Sequence, residues 1–221
     1  MSHHHDARST RFKAVIFDLD GVITDTAHYH YLAWKRTADS VGAPFDEAFN
    51  EQLKGVDRMG SLRLILARAP RAFSDAEQLA LADAKNRHYQ ELIAIMTPQD
   101  LLPGVLRALV QVREAGLRIG LASVSKNAFT VLDRLGIRDR FDDVVDAATI
   151  RNSKPDPEIF LTAAAHLGVA PADCLGVEDA AAGVASIKDA GMAAVGVGSP
   201  AVLHRADRVI ASMADFDLFD Y

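Results

Sequence analysis

Cysteine is almost absent from this chain of 221 residues, where Cys174 stands alone. No internal disulfide can form, so a reducing cytoplasmic setting is expected. Cys174 opens an apolar, strand-like run, where a lone thiol is expected to be buried filling rather than a nucleophile. Basic residues are in deficit too: 24 Lys and Arg stand against 30 Asp and Glu, a formal net charge of -6. That balance argues against nucleic acid as a partner, although a local cluster of cations can still hold a small anion. No apolar stretch is long enough to cross a bilayer, and the N-terminus lacks the apolar segment of a signal peptide. No internal repeat or low-complexity linker is seen. Residues 1–11 are polar, include His3, His4 and His5, and are expected to be a tail or tag outside the fold. A monomer is the default expectation. The remainder, with 49% hydrophobic and 24% charged residues, suits one large globular domain or a core with a smaller insert.

The order of elements favours the core with an insert. Phe12–Phe17 is a short apolar run that reads as a buried strand ending at Asp18. For the next seventy residues or so the pattern is helical. Helices are expected over 27–41, with Thr24, Asp25 or Thr26 as cap and Gly42 as stop, and over 60–69 and 75–95, with no strand between Thr26 and Thr97. After Pro98 strands and helices alternate. Strands are predicted at Leu117–Ala122, Val144–Ala147, Cys174–Val177, Ala193–Val197 and Arg208–Ala211. Helices are predicted at 104–115, Asn127–Leu135, Pro157–Leu167 (capped by Asp156) and 180–190. The expectation is an α/β fold: a Rossmann-like, mainly parallel sheet with helices on both faces, formed by 12–25 and 98–221, and an inserted all-helical cap over 26–97.

Ligands of open α/β sheets bind beyond the carboxyl ends of the strands, and the residues at those ends are chemically distinctive. Asp18 and Asp20 flank Leu19 just past the first strand, and Gly21 allows a sharp turn. One carboxylate can attack phosphorus to give an aspartyl phosphate. Its neighbour can carry the proton of the transferring oxygen. Read alone, the Asp-Leu-Asp-Gly string is equally compatible with a capped turn. Glu178 and Asp179 end another strand. With Asp18 they form an oxygen-rich, mutually repelling set of the kind Mg²⁺ holds together, although acids there also suit the start of the following helix. The Ser123-Val124-Ser125-Lys126-Asn127 stretch precedes a helix and offers hydroxyls and N–H groups to a phosphate, or simply a cap. Lys154, set before Pro155, can neutralise phosphoryl charge.

Taken in order, the Asp-x-Asp-Gly-Val string, the strand-end Ser123, the Lys154-Pro155 pair and the Glu178-Asp179 pair resemble the haloacid dehalogenase superfamily, over nearly the whole chain after residue 11. The resemblance implies Asp18 as nucleophile, Asp20 as general acid/base, and Ser123 and Lys154 as catalytic partners. It also implies Mg²⁺ held by Asp18, the Asp20 backbone carbonyl and Asp179, with Glu178 near or in the shell. Residues 17–26, Tyr29-His30, Trp34, the stretch 49–56, Arg58, Ser61, Lys85-Asn86 and Ser125-Lys126-Asn127 are similar to the phosphohexomutase branch of that superfamily. This implies interconversion of β-D-glucose 1-phosphate and glucose 6-phosphate through β-glucose 1,6-bisphosphate. Gly21, His30, Trp34, Lys54, Gly55, Val56, Arg58, Ser61, Lys85, Ser125, Lys126 and Asn127 are then the expected substrate contacts. Arg58 would grip the distal phosphate, and His30 and Lys85 would place Asp20 when the cap closes. Asp57, Met59, Gly60, Val124 and Ala180 depart from the branch's pattern and bear on substrate preference rather than mechanism. The rival expectations are a sugar-phosphate phosphatase of the same superfamily and a non-catalytic phosphosugar-binding protein.

Overall fold

The first strand sorts its side chains by alternation. In the computed structural model, which describes residues 10–53 and 55–221, β1 (Ala14–Phe17) is buried at every position. Val15 and Phe17 enter one apolar cluster and Ala14 and Ile16 another. Both faces of the sheet are therefore covered, as a continuous apolar run requires. The remaining strands are β2 (Arg118–Leu121), β3 (Asp143–Val144), β4 (Cys174–Glu178), β5 (Ala193–Val197) and β6 (Arg208–Ile210). They join β1 in one six-stranded sheet of order β3-β2-β1-β4-β5-β6, and every pairing is parallel. The chain goes outward from β1 to β3 and then crosses back to β4. The order reverses between β1 and β4, the place where ligands bind in such sheets.

Between Thr26 and Thr97 lie α1 (Ala27–Ser40), α2 (Glu47–Glu51), α3 (Arg58–Leu66) and α4 (Asp75–Ile93), with no strand among the described residues. This helical insert has an apolar cluster of its own, built on Trp34, Ala38, Leu62, Ile65 and Ala82. The sheet is flanked by α5 (Val105–Glu114), α6 (Ala128–Leu135), α7 (Glu158–Leu167) and α8 (Ala181–Asp189). No helix among the described residues is long and apolar enough to cross a membrane.

Several boundaries differ from expectation, each for a local reason. Helix α2 was not foreseen; it is five residues long and is started by Asp46, whose side chain accepts the Phe49 N–H. Helix α3 starts at Arg58 rather than residue 60 because Asp57 caps it. Helix α4 starts at Asp75 as expected, with Ser74 and Glu77 forming a capping box. Strand β3 covers Asp143–Val144 instead of Val144–Ala147, because only Gly120 and Leu121 of β2 pair with it. Pro157 occupies the cap position of α7 without a side-chain cap bond, while Asp156 still accepts the Glu158 N–H at 3.0 Å. Thr26 precedes α1 without a side-chain cap bond; Asp25 accepts the Ala27 N–H instead.

The chain crosses between sheet and insert twice, and the two crossings are tied together. Thr24 bridges both Asp20 and Leu101. Its hydroxyl donates to the Asp100 carbonyl at 2.6 Å, and the Leu102 N–H donates to the Ile23 carbonyl at 3.0 Å.

Candidate active site

The carboxyl ends of β1, β2 and β4 open into a cleft of about 460 Å³ roofed by the helical insert. Strand β1 delivers Asp18, held by its N–H donating to the Val177 carbonyl at 2.9 Å. Strand β4 delivers Glu178 as its last residue and Asp179 just beyond. The loop before α7 delivers Lys154. Its ammonium donates to Asp18 Oδ1 at 2.6 Å and to Glu178 Oε2 at 2.7 Å, and its side chain is 1% exposed. Glu178 Oε1 accepts the N–H groups of Asp179 and Ala180 at 3.1 Å each. Both oxygens of Glu178 are therefore engaged, and the residue acts as a fixed seat for Lys154.

Two glycines make these approaches possible. At Gly21, with φ +78°, a Cβ would lie 2.2 Å from Asp179 Oδ2. At Gly183 on α8 a Cβ would lie 2.0 Å from the Glu178 carboxylate. Hydrogen serves where a methyl group would displace an acid.

Asp18, Glu178 and Asp179 offer oxygens that all lie within 4.8 Å of one another. Two like charges at such a separation repel by about 3 kcal/mol at an effective dielectric constant of about 20. Lys154 offsets only part of this. Burial, then the charge of Glu178, raises the Asp18 pKa to about 7 against the pull of Lys154. Burial, then the charge of Asp18, raises Asp20 to about 8. Glu178 is raised by burial against Lys154. Lys154 is held above its usual value because Asp18 and Glu178 outweigh its burial. The surplus negative charge and the all-oxygen donor set fit a small divalent cation. Asp20 Oδ1 is buried without a hydrogen-bond partner, and Asp20 lines the cleft.

The insert contributes two groups of side chains. The first centres on Lys85 of α4, whose ammonium lies 3.0 Å from His30 Nδ1 and over the rings of Trp34 (4.5 Å) and Tyr89 (4.7 Å). His30 stacks on Tyr89 at 4.2 Å. Burial, then the Arg58 charge, lowers Lys85 to about 7, opposed by Asp20. Burial, then Lys85, pushes His30 well below its ordinary value, so the imidazole is neutral and can accept from Lys85. The second group joins insert to sheet. Asn86 Oδ1 accepts from Arg58 Nη2 at 2.9 Å and from Asn127 Nδ2 at 2.9 Å. Gln90 Nε2 donates to Asn127 Oδ1 at 3.1 Å.

Of the residues expected from sequence to be catalytic, metal-holding or substrate-contacting, all line the cleft except Ser123 and Lys54. Ser123 is buried behind it and accepts the Ser125 N–H at 3.2 Å. Lys54 lies outside the described residues. Sequence reasoning missed Asn50, Asp57, Arg63, Asp83, Arg151 and Ser153 as lining residues, and Asn86 and Gln90 as the bridge to Asn127. The spacing of Asn86 and Gln90, four apart on one helix face, was the available signal.

The chain matches the sequence model of the haloacid dehalogenase-like hydrolases over residues 12–191. It is 53% identical to the β-phosphoglucomutase of Bacillus subtilis (strain 168) over 208 residues, covering 93% of this chain and 92% of that protein. It is 32% identical to the phosphorylated carbohydrates phosphatase of Thermotoga maritima, covering 81% and 82%. The crystal structure of β-phosphoglucomutase from Clostridium difficile superposes with a TM-score of 0.92 at 45% identity, covering 95% of this chain and 97% of that one.

Proposed function

The chain belongs to the haloacid dehalogenase-like hydrolases, and from that premise we propose that it is a mutase of β-D-glucose 1-phosphate and glucose 6-phosphate. The mutase outcome is carried by the 53% identity to the Bacillus subtilis β-phosphoglucomutase, and the phosphoryl-transfer chemistry by the coexistence of two acids in different states. Asp18 is gripped by Lys154, and half-buried Asp20, two residues away, keeps a buried, unengaged oxygen. One is set up as nucleophile and the other as proton carrier.

In the first half-reaction an Asp18 oxygen attacks phosphorus, and the bond from phosphorus to the departing sugar oxygen breaks. Protonated Asp20 gives that oxygen its proton. In the second half-reaction the other sugar hydroxyl attacks the aspartyl phosphate. Asp20 takes its proton, and Asp18 leaves as carboxylate. Lys154 holds Asp18 throughout and offsets charge on the transferring group. Arg58 and Asn127, joined through Asn86, bind the phosphate that does not react. Asp18, Asp179 and the Asp20 carbonyl would hold Mg²⁺, which supplies charge neutralisation and alignment of phosphoryl oxygens when bound. The insert excludes water, the competing acceptor present at roughly 55 M, and so favours transfer over hydrolysis.

The decisive test is product analysis. Incubation with β-D-glucose 1-phosphate, Mg²⁺ and a trace of β-glucose 1,6-bisphosphate should yield glucose 6-phosphate in large excess over free phosphate. Phosphate release matching substrate consumption would instead establish the phosphatase activity of the Thermotoga maritima relative's kind.

The cation can be tested without turnover. Asp18 and Asp20 sit at about 7 and about 8 in the folded chain against an ordinary 3.8. Between those values the folded state binds more protons than the unfolded state, so their contribution to stability is lost as pH rises. Lys85, lowered to about 7 from 10.5, acts in the opposite direction above pH 7. Metal-free protein should therefore lose stability between pH 5 and pH 7. Mg²⁺ at about 100-fold over its Kd should raise Tm by about 5–10 °C at pH 7 and by clearly less at pH 5. Equal shifts at both pH values in thermal denaturation would contradict the site.

A further inference from the structure

The residue before Arg58 touches the residue before Lys154. The Ser153 hydroxyl donates to Asp57 Oδ2 at 3.1 Å across 96 positions of sequence, joining the insert to the sheet-bearing core. The other oxygen of Asp57 accepts the N–H groups of Met59 at 2.8 Å and Gly60 at 3.0 Å. One carboxylate therefore starts α3 with one oxygen and reaches the core with the other. Gly60 is matched to this arrangement. A Cβ there would lie 3.2 Å from Asp57 Oδ2 and 2.8 Å from Val56 Cγ1, displacing the oxygen that meets Ser153. Asp57 and Gly60 are two of the positions that depart from the branch's pattern, and the structure makes them a pair. Burial disfavours the charge on Asp57, but the Gly60 N–H, the Ser153 hydroxyl, the Met59 N–H and the Arg63 charge outweigh it and hold its pKa below the ordinary value. The acceptor is thus a full carboxylate, and hydrogen bonds to charged acceptors are the stronger class.

We propose that Asp57 and Ser153 form a latch that seats the insert on the core and sets the distance between Arg58 and Lys154. Asp57 is a positioning residue: both its oxygens are engaged, and it acts on substrate through Arg58. The role rests on the mutase reading above, in which Arg58 and Lys154 bind opposite ends of a sugar bisphosphate. A latch that fixes their separation selects substrates by the span between two phosphates. It also keeps the cleft shut while the phosphoenzyme waits for a sugar hydroxyl rather than water.

The test uses Ser153→Ala, Asp57→Ser, Asp57→Asn and the double variant Asp57→Ser with Ser153→Ala. Ser153→Ala leaves the α3 cap untouched. Serine at 57 still caps the helix but is too short to reach Ser153. Asparagine keeps the cap through its carbonyl and can donate its amide to the Ser153 oxygen. Each of the first two should raise the KM for β-glucose 1,6-bisphosphate, and the share of phosphoryl groups lost to water, about five-fold, the scale of one hydrogen bond. Asp57→Asn, which keeps the contact without the charge, should recover part of both losses. The double variant should be no worse than either single one. Amide exchange at Met59 and Gly60 should stay slow in Ser153→Ala, showing that the cap is intact. Wild-type KM and partitioning in Ser153→Ala, or additive effects in the double variant, would overturn the latch. If wild type itself releases only phosphate, the mutase reading falls. The latch then stands or falls on whether Ser153→Ala raises the KM and the rate of phosphoenzyme hydrolysis.

Discussion

Asp18→Asn should lower turnover by at least about 10⁴-fold, the scale seen when the nucleophile of a covalent catalyst is removed. An amide in place of the carboxylate cannot form an acyl phosphate, so no phosphoenzyme should be trapped by rapid quench or detected by intact mass. Misfolding will not explain the loss. The carboxylate being replaced is one whose charge is already disfavoured by burial and by Glu178. Asparagine also keeps a carbonyl oxygen for the Lys154 ammonium, which donates to Asp18 at 2.6 Å. Metal-free Asp18→Asn should therefore melt no lower than wild type at pH 7. Retained turnover, or a phosphoryl group still found on the variant, would remove Asp18 from its role.

Asp20→Ala should cost about 10²–10⁴-fold in kcat, the range of general acid–base catalysis, while leaving the thermal shift produced by Mg²⁺ close to that of wild type. The two readouts separate because the side chain carries the proton, whereas the backbone carbonyl is the group assigned to the cation. Substrates with a good leaving group, such as an aryl or acetyl phosphate, should phosphorylate the variant almost as fast as wild type, since that departing oxygen needs no proton. An unchanged kcat with the sugar phosphate, or loss of the Mg²⁺ shift, would contradict the assignment. Removing the side chain also eliminates a buried carboxyl whose pKa is pushed to about 8, so the variant's stability should vary less with pH between 5 and 7.

Strand ends were the readable part of this chain. The runs before Asp18, Ser123 and Glu178 are short and apolar, and a strand buried on both faces has no other composition available to it. Once three such runs lie side by side, their terminal residues must converge. The parallel pairing of β1 with β2 and β4 brings this about. Less legible was whatever depended on contacts between distant segments. Helix α2 rests on a single cap at Asp46 and is too short to show a period. Strand β3 shifted because its extent is set by β2, not by its own residues. Asn86, Gln90, Asp57 and Ser153 look like ordinary polar surface until the insert is folded onto the core, where each finds a partner from across the cleft. A polar residue's role there comes from the group opposite it, and a single sequence does not say which group that is.

The paired crossings at Thr24 and at Asp100–Leu102 carry one more consequence. Two cords stitched side by side resist splaying and shear, yet they still permit rotation about the line they share, as a door pin does. Opening and shutting of the roof should then trace nearly the same arc in every cycle. That pin begins only a few residues after Asp20, with the Gly21 N–H donating to the Thr24 carbonyl at 2.8 Å, so a swing of the roof would pull on the segment that bears Asp20. Arrival of a sugar under the roof and readiness of that acid would be one mechanical event.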